Sequence, residues 1–171
     1  RLFAYRSVSE RMTLLTNLWL TVDWDATDRM IEAMVRAGVR YGPTFVVFEQ
    51  QAGIHPETLE GDPAFRAAYG ETETAAWAAF LHHIVNVWTD ADRDRFRRSI
   101  DTRLEWIRRF HRAGGQLVVG TDMQYGGIAI HRELAILTEV GLSPVAAIAA
   151  ATGEAARVMR RDDLGVVAAG R

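Results

Sequence analysis

The stretch "VRYGPTFVVF", Val39 to Phe48, decides the fold. Its β-branched and aromatic residues read as a strand ending near Phe48, and Pro43, which removes a ladder donor, counts against a central position in a sheet. Upstream, Asp25 is placed to cap a helix, and Met30, Ile31, Met34 and Val35 fall at helical spacing on one face. Gly38 supplies the left-handed residue that follows such a helix. A helix from about Ala26 to Ala37 is therefore expected to feed this strand.

The same plan recurs. "MIEAMVRAGVRYGPTFVV" and "WIRRFHRAGGQLVVGTD" both read as an amphipathic helix, an Arg-Ala-Gly stop and a short apolar strand. Helix-to-strand units with apolar strands point to a parallel sheet covered by helices. Between the two lies "EQQAGIHPETLEGDPAF", a Gly- and Pro-punctuated loop of the kind that covers a site. Two helices should follow it. One runs from about Glu73 to Trp88; the other starts after the Asp90 to Asp94 region and lasts to Ala113, with Phe96, Ile100, Leu104, Ile107 and His111 as its stripe.

Beyond the second unit the chain reads as helical. "IHRELAILTEVG" places Ile130, Leu134, Leu137 and Val140 at core spacing, Ser143 and Pro144 form a cap and first helical position, and a last helix is expected over Gly153 to Arg160. The first segment, to about Leu20, reads as a helix leading into a loop.

Composition bounds the rest. At 171 residues and 49% hydrophobic, the chain can bury about two-thirds of its unfolded surface, as a single domain does. The 20 basic residues are all arginine, set against 22 acids for a formal charge of −2. That balance gives no reason to expect nucleic acid, an anionic membrane or a polyanionic substrate. There is no cysteine, which excludes thiolate ligands and nucleophiles. No apolar run approaches the ~18 residues of a membrane span. The missing initiator Met and an end at a turn-like Ala-Gly suggest a piece of a longer protein, with the cytoplasm favoured but no signal to fix a compartment.

For chemistry, Asp122 stands out because it follows "QLVVGT" directly. In parallel α/β folds, ligands and catalysis collect at the carboxyl ends of strands. The alternative is a helix cap, or a turn with Gly126 and Gly127. The histidines, His55, His82, His83, His111 and His131, show no metal-ligand spacing, and His82 and His83 are adjacent on a helix, about 100° apart. His131 is the one nearest the loop after Asp122. The four serines lack a nucleophile elbow, no glycine motif fits a nucleotide, and the Arg-dense "DADRDRFRRSIDTRLEWIRRF" interleaves acids as a solvated face does.

As an ordered set, "AGVRYGPTFVVFE", "FHRAGGQLVVGTDMQYGG", "IHRELAILTEVGLSPVAAIAAATGEAARVM" and "DDLGVVAAGR" resemble the closing portion of the amidohydrolase superfamily, in its imidazolonepropionase-like and prolidase-like branch. The resemblance covers roughly Asp25 to Arg171. It implies an α/β chain that is the C-terminal part of a (β/α)8 TIM-like barrel, incomplete, with strands over 38–48 and 116–122. A helical excursion over 49–113 would separate them, and C-terminal helices would occupy 128–161. It also implies hydrolysis of an amide-type C–N bond in a small or dipeptide-like substrate. Asp122 would be both ligand to a divalent metal, zinc in the full-length enzyme, and general acid/base, with His131, Tyr125 and Gln124 on the substrate side.

The departures matter equally. The family's His-x-His, its bridging Lys or Glu and its later strand-end histidines are missing, so this chain alone is expected to bind little or no metal and to turn nothing over. Two other readings stand beside the hydrolase. One is a non-catalytic helical interaction domain, with a partner surface around Trp77, Trp88 and Trp106, in which "QLVVGT" would not lie parallel to "YGPTFVVF". The other is a half-barrel completed by a second chain; a raw sheet edge favours self-association, so a homo-oligomer belongs to the same expectation.

Overall fold

The computed structural model describes residues 8–52, 63–86, 88–122 and 128–169. In chain order its elements are α1 (Val8–Leu20), α2 (Trp24–Arg36), β1 (Arg40–Tyr41), α3 (Phe45–Gln51), α4 (Pro63–Asn86), α5 (Asp90–Arg112), β2 (Gln116–Leu117), α6 (Ile128–Glu139), α7 (Pro144–Ala151) and α8 (Gly153–Val158). Among the described residues, no helix is long and apolar enough to cross a membrane.

β1 and β2 pair in parallel, Arg40 opposite Gln116 and Tyr41 opposite Leu117. They are reached in the same way. α2 closes on Gly38 (φ 68), whose N–H donates to the Val35 carbonyl at 3.0 Å while Val39 donates to Met34 at 3.0 Å. α5 closes on Gly114 (φ 87), with Gly114 donating to His111 and Gly115 to Phe110, both at 2.9 Å. Both are Schellman closures, in which a left-handed residue turns the chain so that two late carbonyls find donors. Each strand begins two residues after its glycine, so the register superposes one helix–stop–strand unit on the other. The repeat heard in the sequence is an equivalence in space.

The expected fold class is overturned. Among the described residues the chain is mostly helical with one two-stranded sheet, which is not part of a (β/α)8 barrel with several strands. Two local events cut the strands short. After β1, Pro43 offers no N–H and Thr44 turns left-handed (φ 47), so "FVVF" enters α3 instead of extending to Phe48. The amides of Phe45 and Val46 donate to Glu133 of α6 at 2.9 and 2.8 Å. Strand propensity spans only ~1 kcal/mol, and a carboxylate on two amides at a helix start outweighs it. After β2, Val118 still donates to Tyr41 at 3.0 Å, but Val119 donates to Ala150 at 3.2 Å and the ladder ends.

The chain divides into two compact units, residues 1–23 with 48–103 and residues 24–47 with 104–171. In the first, the Phe96 ring is fully buried, 4.9 Å from Trp88 and 6.5 Å from Phe48. The buried Arg103 guanidinium lies 4.5 Å over Phe48 and 4.9 Å over Trp19, and its Nε donates to Ser99 Oγ. α5 starts at Asp90, earlier than expected, because Thr89 and Asp92 form a capping box: Asp92 N–H reaches Thr89 Oγ1 at 3.2 Å and Thr89 N–H reaches Asp92 Oδ2 at 3.0 Å. The Thr89 hydroxyl, then its amide, hold the Asp92 carboxyl below the usual range. α4 also starts before the expected Glu73 and is interrupted at Gly70 (φ 79).

In the second unit the carboxyl half of α5 carries the packing. Tyr41 sets its ring 4.6 Å from Trp106 and 5.7 Å from Phe110. Arg109 lies over Trp24 at 4.3 Å and pairs with Asp28 at 2.7 Å, and this bond raises its pKa. α2 begins at Trp24, so Asp25 falls in the first turn instead of at the cap. The Ser143–Pro144 start of α7 is as the sequence indicates, Ala146 N–H donating to Ser143 Oγ at 3.2 Å.

Candidate functional site

Asp122 lies at the end of the segment that leaves β2, exposed and left-handed (φ 50). That segment stays beside the one leaving β1. An added Cβ at Gly42 would lie 3.5 Å from the Val118 carbonyl, and one at Gly120 would lie 3.3 Å from the Thr44 methyl. Two residues span at most about 7 Å, so the Asp122 α-carbon lies within that reach of the Gly120–Thr44 contact.

The two segments end alike: Thr44 and Asp122 both have positive φ. The meaning differs between them. Aspartate visits the left-handed region with ease, whereas a β-branched threonine there is an outlier whose strain is of order 1–3 kcal/mol. Thr44 precedes α3 but does not cap it with its own hydroxyl. Glu133 does that from α6, with 0% of its surface exposed.

Glu133 is the residue the sequence reading missed. Ile130, Leu134, Leu137 and Val140 were expected to face the core, yet Ile130 and Leu134 are only half-buried, and the buried face runs through Ala129, Glu133, Ile136, Leu137 and Val140. Leu137 and Val140 are buried as expected, while Ala129 and Glu133 take the places expected for Ile130 and Leu134. A charged residue spaced four from Ala129 and four from Leu137 was the available signal, since a carboxylate on a helix's apolar face requires partners.

Among the described residues, no hydrogen bond or ion pair joins another candidate to Asp122. His131 is exposed on α6; two positions before Glu133, it points about 200° away from it. Gln124 and Tyr125 lie outside the described residues, as do His55 and the side chains of His82, His83 and Trp77. His111 is half-buried, its ring 3.5 Å from where a Gly141 Cβ would stand. Trp88 and Trp106 are 5% and 7% exposed, which removes two of the three aromatics from the surface that an interaction domain would use. The parallel pairing of β1 with β2 contradicts that reading's other requirement.

Among the described residues no three His, Asp or Glu side chains stand close enough to hold a metal ion. Asp122 alone would supply one carboxylate ligand, short of the three protein ligands a catalytic zinc takes; the described residues by themselves do not fit a metal centre. The first unit has a small hollow of about 10 Å³, lined by Thr13, Thr16, Trp88, Asp92 and Arg95, room for about one water and not for a substrate. No protein-family model, curated protein or solved structure matches the chain.

Proposed function

We propose that the chain carries the proton-handling carboxylate of a metal-dependent hydrolase that cleaves an amide-type C–N bond in a small or dipeptide-like substrate. The observation that carries this reading is Asp122: an exposed acid, left-handed, just beyond the contact between two parallel segments. The ordered motifs that resemble the amidohydrolases give that acid its role.

In this reading Asp122 accepts the proton of the attacking water and returns it to the leaving nitrogen as the C–N bond breaks. The remaining metal ligands come from residues other than those described. Gln124 and Tyr125, close to Asp122 in sequence, are substrate-side contacts.

The test is hydrolysis of a panel of dipeptides and cyclic amides by the full-length protein supplied with Zn²⁺, comparing wild type with Asp122→Asn. Loss of a general acid/base lowers turnover by about 10²–10⁴-fold. An Asp122→Asn protein that folds normally and keeps wild-type turnover overturns the proposal.

A further inference from the structure

We propose that Thr44 is a substrate contact of the Asp122 site and that Glu133 is the positioning residue that holds it there. The inference rests on the hydrolase reading and adds to it a specificity element on the neighbouring segment.

Three observations converge on Thr44. It is a β-branched residue kept at φ 47, and strain of this kind persists where the surroundings over-determine it, which happens chiefly at functional sites. The over-determining group is visible: Glu133, wholly buried, takes the amides of the next two residues, Phe45 and Val46, at 2.9 and 2.8 Å. With those amides fixed and Pro43 buried just before, Thr44 has little freedom to relax. Its methyl rests against Gly120, where a side chain would press at 3.3 Å, so the rim closes to within two residues of Asp122.

The hydroxyl of Thr44 is not used to cap α3, because Glu133 performs that task. It can both donate and accept, and it belongs to a half-buried residue whose methyl meets the neighbouring segment two residues before the exposed Asp122. The ligand chemistry it fits is an amide: its O–H donates to a substrate carbonyl, or its oxygen accepts from a substrate N–H. A Thr44 contact formed equally in bound substrate and transition state affects binding and leaves turnover alone.

The experiment uses the full-length protein with Zn²⁺ and the dipeptide and cyclic amide panel, in the variants Thr44→Val, Thr44→Ser, Glu133→Gln and Asp122→Asn. Amide hydrogen exchange at Phe45 and Val46 is followed by NMR in parallel. Thr44→Val should raise KM by about 10-fold, the loss of one hydrogen bond, with kcat little changed. Thr44→Ser should restore KM, and neither variant should alter exchange at Phe45 or Val46. Glu133→Gln should speed exchange at both amides and raise KM in the same direction as Thr44→Val. Wild-type KM in Thr44→Val overturns the contact; faster exchange with unchanged KM in Glu133→Gln overturns the positioning role. Failure of the hydrolase reading looks different: no panel member is turned over, or Asp122→Asn is as active as wild type, and the contact falls with it.

Discussion

The two helix–stop–strand units follow one path and then part. Both close a helix on a left-handed glycine, both enter a parallel strand two residues later, and the contact between them persists to Thr44 and Gly120. Beyond that point one chain turns into α3 and the other runs to Asp122. The divergence has a long-range cause, since the acceptor that starts α3 is Glu133, 88 residues from Phe45 along the chain. Neighbouring residues set the helix, its stop and the strand's first pair. A distant carboxylate sets the turn into α3.

Removing that carboxylate should therefore erase the difference, with the largest effect of any single change. Glu133→Leu leaves the Phe45 and Val46 amides buried without an acceptor; at roughly 1–3 kcal/mol per unsatisfied group, the loss should be about 3–5 kcal/mol. Glu133→Gln keeps one oxygen and should lose roughly half as much. Urea unfolding measures both. A Glu133→Leu protein within about 1 kcal/mol of wild type would mean that α3 forms by propensity alone.

The same division explains what could be read from the sequence. The glycine stops at Gly38 and Gly114, the Ser143–Pro144 cap and the parallel pairing of the two units depend on residues close to each element or on the repeat itself. "FVVF" reads equally as strand or helix, because four apolar residues carry no period that separates the two. Its partner Glu133 is hidden in the sequence because Leu134 beside it has the apolar core spacing. Asp122 was legible as an acid after a strand, but Thr44 was not. Positive φ at threonine has no sequence signature and arises from the clamp around it.

The two stop glycines, Gly38 and Gly114, are equally open, and the residues after them differ. Gly38 has nothing within 4 Å of where a Cβ would stand, and its neighbour Val39 is exposed. Gly115, the residue matching Val39, is buried, and its Cβ would lie 2.4 Å from the Phe110 ring and 2.6 Å from the Phe110 carbonyl. Gly38→Ala should lose about 1 kcal/mol, the left-handed penalty alone. Gly115→Ala, which must shift packed backbone and a buried ring, should lose about 2–3 kcal/mol. Thermal unfolding of the pair checks the difference; equal losses would mean that the Phe110 contact yields to a side chain at Gly115.

The smallest effect is the most informative about function. Thr44→Gly relieves a left-handed β-branched residue worth about 1–2 kcal/mol and gives back part of that as added freedom of the unfolded chain, for a net gain of about 0.5–1 kcal/mol. Asp122→Gly should gain less, because aspartate tolerates φ 50. A chain made more stable by Thr44→Gly, while the full-length protein loses affinity for the proposed amide substrate, would support strain retained for binding. A chain made less stable by it would show that the Thr44 methyl on Gly120 is packing that outweighs the strain, and the two segment ends would then differ in structure without differing in purpose.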